Sequence, residues 1–266
     1  MAGRTKPFSA FEFMIAWRYL RARRAEGGVS VMTWISLVGI ALGVMALVAT
    51  LAVRAGFRAE MVDTILGANA HVTMYSAPHQ DAEGVMIRTV DDYQALAEKV
   101  RAVPGVVRAV PVVRGQAMIS FGDRSNVAEV YGITLDDLKA IPRVASSPDA
   151  YGNIEDFDKG IAVGSGIARD LGIGPGDKIK VISPNGAKTA FGTSPRINVY
   201  EVTYVFSAGR YDIDKTRVYM PMPDAQSFFN RDGAADEIDI MVADPDHVEA
   251  IVPALQATGD ANTLLW

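Results

Sequence analysis

The 266-residue sequence contains no cysteine and only three histidines. Without cysteine there is no disulfide bond, no zinc thiolate and no cysteine nucleophile. The histidines (His71, His79 and His247) have none of the paired spacings that hold zinc. We therefore expect no metal site and no cofactor.

Motifs for catalysis are missing as well. The sequence has no G-x-S-x-G elbow, and adjacent acidic pairs such as Asp91–Asp92 favour solvated turns over acid–base chemistry. The segment "NGAKT" (185–189) lacks the earlier glycine and the Gly-Lys pair of a phosphate-binding loop. We expect no catalytic residues, so any ATP hydrolysis would need another subunit.

Charge is absent from one long stretch. No Asp, Glu, Lys or Arg occurs from Gly27 to Val53, although 21% of the chain is charged. The segment "TWISLVGIALGVMALVATLAV" (33–53) would form a helix of about 31 Å, close to the ~30 Å hydrocarbon core of a membrane. This pattern predicts a transmembrane helix over residues 29–53. A cleaved export signal is the alternative, but signals have shorter apolar segments that end at a small-x-small site.

The charges on either side of this stretch differ in sign. Residues 1–28 carry six basic and two acidic side chains, whereas residues 54–266 carry 20 basic and 29 acidic ones. Because basic residues beside a span stay in the cytoplasm, the amino terminus is expected inside and residues 54–266 outside. We interpret residues 1–28 as an amphipathic, basic segment in the inner membrane interface. The acidic outer part predicts no nucleic acid partner.

Two glycines, Gly39 and Gly43, lie about one helical turn apart in the predicted span. Small residues at this spacing let another helix approach closely. The pair therefore predicts a helix-packing face and a partner helix.

The rest of the chain shows short helical and strand patterns and no second apolar run of membrane length. Residues 54–67 are predicted to continue the first helix. A second helix is predicted over 89–103 with Thr89 as its cap, followed by a strand over 106–121 that is broken near Gly115. Strands with small helices in this order indicate an α+β fold.

A 13-residue segment, "PNGAKTAFGTSPR" (184–196), separates two predicted strands. Long ordered loops in compact domains often carry function. An exposed Phe191 next to Pro195 and Arg196 would be typical of a binding anchor. The alternative is a loop whose phenylalanine folds back onto the sheet, and composition alone does not separate the two.

Several stretches resemble one known family. The segments "FEFMIAWRYLRARR", "WISLVGIALGV" and "GIAVGSGIARDLGIGPGD" resemble parts of the LolC/LolE family, the permease subunits of the ABC transporter that extracts lipoproteins from the bacterial inner membrane. The resemblance covers nearly the whole chain. The wider superfamily includes MacB-type efflux permeases and FtsX.

The resemblance implies an architecture. One N-terminal transmembrane helix would be followed by a periplasmic MacB-like domain of two α+β subdomains, called porter and sabre. Residues 54–135 and about 222–266 would be porter-like, and residues from about 136 to 221 sabre-like. Family members have four spans per subunit, so we expect a chain truncated before its second span, which alone would not transport.

The resemblance also implies partners. A LolD-like ATPase would hydrolyse ATP, and a second permease subunit would complete a homodimer or heterodimer. A soluble LolA-like periplasmic carrier would receive the lipoprotein substrate from the inner membrane.

In LolC-type members a hairpin loop called the hook recruits the carrier, and residues 184–196 lie where the hook is expected. Its T-x-x-G-x-x-P pattern is matched at Thr189, Gly192 and Pro195, while Ala190 replaces an expected proline. The implied hook residues are Phe191, Gly192, Thr193, Pro195 and Arg196. The hypothetical exit cavity for acyl chains is lined by Met45, Val48, Leu51 and Phe57.

Two other functions stay open. A MacB-like efflux or FtsX-like mechanotransmission permease shares the architecture but has no need of a carrier hook. A single-span receptor with an extracytoplasmic sensing domain would need a concave ligand pocket and no ATPase.

Overall fold

The computed structural model describes residues 10–21, 27–66, 69–80, 86–184, 188–189, 192–260 and 262–266. The chain divides into two compact units, Met1–Glu60 and Met61–Trp266. The first unit is helical, and the second contains all the described strands.

The first unit consists of helix α1 (Ala10–Arg21) and most of helix α2 (Gly27–Leu66). Within α2, Val31–Arg58 is long and apolar enough to cross a membrane, and among the described residues it is the one such segment. Every side chain of that segment is exposed. The Thr50 hydroxyl donates to the Ala46 carbonyl at 2.8 Å, which satisfies its polar group inside the helix. The predicted helical continuation beyond the apolar stretch is confirmed.

The second unit alternates short helices with strands. Its α-helices are α3 (Tyr93–Arg101), α4 (Leu135–Lys139), α5 (Pro142–Ala145), α6 (Ser165–Leu171), α7 (Tyr211–Thr216), α8 (Met222–Phe229) and α9 (Val252–Gln256). Two 3₁₀ helices span Ile154–Lys159 and Pro245–Ala250. The strands are β1 (Val72–Ser76), β2 (His79–Gln80), β3 (Met86–Ile87), β4 (Val106–Phe121), β5 (Arg124–Ile133), β6 (Tyr151–Gly152), β7 (Ile161–Gly164), β8 (Lys178–Ser183), β9 (Lys188–Thr189), β10 (Gly192–Thr193), β11 (Arg196–Phe206), β12 (Arg217–Pro221), β13 (Glu237–Val242) and β14 (Thr263–Leu265).

Ten strands form one mixed sheet in the order β14-β1-β13-β4-β5-β12-β7-β11-β6, with β8 paired to both β11 and β4. This double pairing of β8 closes β4, β5, β12, β7, β11 and β8 into a ring. Within the described sheet, β11/β7 and β12/β5 are parallel pairs and the other pairs are antiparallel. The sheet is not doubly wound, and the predicted α+β class is confirmed.

The inner face of the ring carries the largest core. Alternate side chains from all six strands meet there with α6 and α8; examples are Ile119, Val130, Val163, Val181, Val202, Val218 and Phe228. A second cluster lies on the outer face under α4 and α5, and a third lies between α3 and strands β1 and β13. Strands from both predicted subdomains share the ring, and the division into porter and sabre stays a prediction.

Strand β4 runs unbroken through Gly115, so the predicted break is wrong. The glycine serves a different purpose. A Cβ at this position would overlap the aromatic ring of Phe229, at the end of α8. Glycine therefore allows the helix to lie close against a continuous strand.

Helix α3 begins at Tyr93 after Asp92, so the predicted start at Thr89 is wrong. Val90 exchanges backbone hydrogen bonds with Ala235 at 2.7 and 3.1 Å. This bridge holds residue 90 in an extended conformation, and the helix forms only after it. The Thr89 hydroxyl donates to Asp91 Oδ1 at 3.2 Å instead of capping a helix.

Candidate functional site

The 184–196 segment connects the two strands of a long hairpin. Strands β8 and β11 pair antiparallel, from Lys178 with Glu201 up to Ser183 with Arg196. The pairing therefore reaches the base of the segment on both sides. The strands fix the place where the segment leaves the sheet, as expected for a rigid support beneath a binding loop.

The segment contains a smaller hairpin of its own. Strand β9 pairs with β10, with Thr189 opposite Gly192 and Lys188 opposite Thr193. This register agrees with the hairpin that the resemblance implies. The predicted anchor Phe191 lies outside the described residues, and so does Ala190. The carrier-binding role of these positions stays a prediction.

Pro195 and Arg196 end the segment and have different surroundings. Pro195 is exposed. Arg196 donates from Nη1 to the Ser227 carbonyl and from Nη2 to Asn230 Oδ1, at 2.8 Å for the second bond. Both acceptors lie at the carboxyl end of α8, where a cation also interacts favourably with the helix dipole. Arg196 thus ties the base of the segment to α8.

An apolar row crosses the outer face of the ring next to this hairpin. The row consists of Val127, Met118, Ile182 and Ile197, which are direct neighbours in the register of β5, β4, β8 and β11. Val127 is 63% exposed, Met118 42% and Ile197 58%. Exposed apolar patches on a folded domain commonly mark interaction sites. We call these four residues the apolar row.

The apolar row was missed in the sequence, although a signal for it exists. A strand with one face in water normally alternates apolar and polar residues. Met118–Ile119 and Val181–Ile182 instead place an apolar side chain on both faces of their strands. A strand that is apolar on both faces is expected to be covered on its outer face as well as on its inner one.

The predicted positions on α2 fall on two faces of the helix. At 3.6 residues per turn, Met45, Val48 and Leu51 share one face, and Phe57 lies about 180° from the centre of that group. Gly39 and Gly43 lie on the opposite face, about 160° from its centre. All four large side chains are exposed. The lipid cavity and the helix-packing face stay predictions.

Metal ligands do not gather in the described part of the chain: no three His, Asp or Glu side chains there could hold an ion together. His247 Nδ1 lies 2.7 Å from Asp244 Oδ2, and this contact raises the pKa of the exposed imidazole. His71 accepts from the Val242 amide at 3.1 Å, while burial lowers its pKa. Neither arrangement points to catalysis.

The helix and the domain together define a class: an α+β domain preceded by one apolar helix of membrane length. A family model described as the MacB-like periplasmic core domain matches residues 33–258, so the chain belongs to this family.

Curated relatives extend this assignment. The lipoprotein-releasing system transmembrane protein LolC of Neisseria meningitidis serogroup B is 30% identical over 252 residues, which cover 94% of this chain and 57% of that protein. The corresponding protein LolE of Haemophilus influenzae is 28% identical over 220 residues, covering 81% and 51%. The predicted resemblance to LolC and LolE is confirmed. The chain spans a little over half the length of these relatives.

Solved structures give weaker matches. The periplasmic region of MacB from Actinobacillus actinomycetemcomitans has a TM-score of 0.47 at 11% identity, covering 78% of this chain and 93% of that one. The extracellular domain of the ABC-type transporter YknZ from Gram-positive bacteria has a TM-score of 0.46 at 12% identity, covering 73% and 98%.

Proposed function

We propose that this chain is part of a permease subunit that releases lipoproteins from the bacterial inner membrane to a LolA-like periplasmic carrier. Helix α2 crosses the membrane with the amino terminus in the cytoplasm, and residues 54–266 lie in the periplasm. A LolD-like ATPase hydrolyses ATP, and a second permease subunit packs against the Gly39–Gly43 face of α2.

One observation carries this proposal. The apolar row ends at the base of the 184–196 hairpin, in a chain whose relatives are named lipoprotein-releasing system transmembrane proteins. A lipid carrier must present apolar surface, and an exposed apolar strip beside the base of a hairpin offers a complementary surface. In this proposal the hairpin recruits the carrier and the row supports it.

The proposal includes a path for the lipid. Acyl chains leave the bilayer along the face of α2 that bears Met45, Val48 and Leu51, while Phe57 lies near the outer end of the helix on the opposite face. The carrier held at the hairpin then receives them. The rigid pairing of β8 with β11 keeps the carrier at a fixed place relative to the ring.

Binding of a purified LolA-like carrier to the full chain in detergent tests the proposal. We expect Phe191→Ala or Pro195→Gly to weaken binding at least about tenfold, as truncation of an interface anchor commonly does. Matched controls are Tyr211→Ala and Pro148→Gly, which alter an exposed aromatic and an exposed proline elsewhere. We expect both controls to bind as the unchanged chain does.

Two results would contradict the proposed function, and each has a different meaning. If the carrier does not bind the chain, a MacB-like efflux or FtsX-like permease explains the architecture better. If it binds but both hairpin variants bind unchanged while remaining folded, the hairpin is not the carrier site.

A further inference from the structure

A cavity of about 390 Å³ opens on the outer face of the sheet, beyond the edge of the cover formed by α4 and α5. Strands β1, β13, β4, β5 and β12 each place polar side chains in its wall. The polar and aromatic lining consists mainly of Arg108, Arg114, Arg217, Tyr131, Tyr219 and Asp239. We call this space the arginine cavity. It is separate from the hairpin and from the apolar row.

Two of the three guanidinium groups are held by one aromatic ring. The carbon centre of the Arg217 guanidinium lies 4.4 Å from the Tyr131 ring centroid, and that of Arg114 lies 5.1 Å from it. Arg217 also donates to the Tyr131 hydroxyl at 3.3 Å and to Asn69 Oδ1 at 2.9 Å. Cation–π contacts fix the orientation of both groups without neutralising their charge.

The third guanidinium is only partly satisfied. Arg108 Nη1 is buried and has no hydrogen-bond partner within the described part of the chain. Burial lowers the pKa of Arg108, which means that the fold disfavours its charge. A buried cationic donor without an acceptor is costly unless something supplies the acceptor.

The carboxylates near these cations lie mostly outside the cavity. Among the described residues of the lining, Asp239 is the one acidic side chain, and burial raises its pKa. Thr73 already donates to Asp239 Oδ1 at 3.3 Å. Glu129 and Glu237 pair with Arg114 at 3.4 and 3.5 Å but do not line the cavity. The lining therefore holds three guanidinium groups and one described carboxylate, while Arg114 is paired from outside the cavity and Asp137 acts on Arg108 from a greater distance.

Most of the remaining wall is apolar. Val110, Val112 and Met241 lie between the charged positions, and Trp266 stands at the rim. A pocket of this size with apolar walls and a few convergent polar groups is typical of small-molecule sites. Guanidinium groups match oxyanions because their donors form a planar fork.

We propose that the arginine cavity binds a small oxyanion, a phosphate or a carboxylate, that carries a short apolar group. The oxyanion accepts from Arg108 and neighbouring guanidinium groups, and its apolar group lies against the valines and Met241. This site does not depend on the proposed function, since neither the hairpin nor the carrier takes part in it.

Calorimetric titration of the full chain in detergent, in buffer free of phosphate, tests the proposal. The probes are butyl phosphate, pentanoate and inorganic phosphate. We expect saturable one-to-one binding of at least one alkyl anion. An alkyl phosphate should bind roughly tenfold or more tightly than inorganic phosphate because its methylenes are buried. The two alkyl probes distinguish phosphate from carboxylate recognition.

Arg108→Met and Arg169→Met form a matched pair. Arg169 is exposed on α6 and does not line the cavity. We expect Arg108→Met to weaken binding at least tenfold and Arg169→Met to leave it unchanged. Arg108→Met should also keep or raise the melting temperature without anion, since it removes an unsatisfied buried cation.

Asp239→Asn tests the proposal independently, even if Arg108→Met fails to fold. Removing the one carboxylate of the lining should tighten anion binding several-fold. Absence of binding by both alkyl anions would overturn the proposal. So would equal weakening by the two arginine variants, or an Asp239→Asn variant that binds no more tightly than the unchanged chain.

Discussion

At the scale of single residues, the ring contains glycine positions at which a larger side chain would overlap a neighbouring element. Gly164 joins β7 to α6, and a Cβ there would overlap the backbone of Asp214. Backbone cannot move aside as the end of a flexible side chain can. The conformation of Gly174 is unremarkable and the space around it is open. The two positions therefore separate a crowded glycine from an uncrowded one.

We expect Gly164→Ala to lower the free energy of unfolding by about 2 kcal/mol or more, because overpacking forces the backbone of β7 and α7 apart. Gly174→Ala should change it by less than about 0.5 kcal/mol. Chemical unfolding of the full chain in detergent, followed by near-ultraviolet circular dichroism, measures both. Equal stability of the two variants would show that α7 moves away without cost.

Glu237 gives the fold a pH dependence. Burial raises its pKa from 4.5 to about 7, with Asp239 and Asp236 adding to the rise and Arg114 opposing it. Between these values the folded state binds more protons than the unfolded state, so the free energy of unfolding falls as pH rises. We expect this group to remove about 2 kcal/mol between pH 5 and pH 8.

The Glu237→Gln variant isolates this effect because a neutral amide does not titrate. Its stability should match the unchanged chain near pH 5 and exceed it by about 2 kcal/mol near pH 8. Glu98→Gln, at an exposed position on α3, is the control and should not alter the pH profile. Parallel profiles for Glu237→Gln and the unchanged chain would contradict the assignment.

At the scale of elements, Arg196 adds a contact between the base of the β8–β11 hairpin and α8. Its guanidinium reaches the carboxyl end of α8, where Asn230 has the left-handed conformation (φ 57°) that ends the helix. The inner side of the same hairpin packs Tyr200 against Phe228 in an edge-to-face contact with centroids 6.2 Å apart. Helix and hairpin are thus joined at two points.

Arg196→Met should loosen this joint while leaving the core intact. We expect backbone amides near the Ser183–Arg196 pair to exchange with deuterium at least about tenfold faster, since loss of a charge-assisted bond is worth about 1.5–3 kcal/mol. Lys180→Met, on the outer face of β8, serves as the control. Unchanged exchange in Arg196→Met would mean that β8–β11 pairing alone holds the base.

Local patterns in the sequence were sufficient for some elements and not for others. The apolar run predicted α2, and the segment from 184 to 196 was recognised as the connection of two strands. The start of α3 was misplaced because a tertiary bridge between Val90 and Ala235 determines it. Ring closure could not be predicted, since β8 pairs with a strand about 60 residues earlier and no local signal records that contact.

The candidate site was predicted only in part for the same reason. A family resemblance and a loop length located the hairpin. The apolar row depends on four strands being neighbours, and the arginine cavity on five, so neither follows from spacing along the chain. Arg196 is predicted as a carrier-binding residue of the hook, whereas its contacts with Ser227 and Asn230 depend on where α8 lies.

At the scale of the whole molecule, two apolar surfaces stand out as exposed within the described residues. One is the membrane-length segment of α2, and the other is the apolar row on the ring. In the proposed function the first lies in lipid and the second meets a lipid carrier. The two surfaces belong to separate units, and the account requires both to be on the path of one lipoprotein.

Photo-cross-linking in intact cells tests this account most directly. A benzophenone amino acid replaces Ile197 in the apolar row or, as a control, Glu98 on α3. We predict an adduct with the LolA-like carrier from position 197 and none from position 98. An adduct from neither position, or equal adducts from both, would contradict carrier delivery at the hairpin.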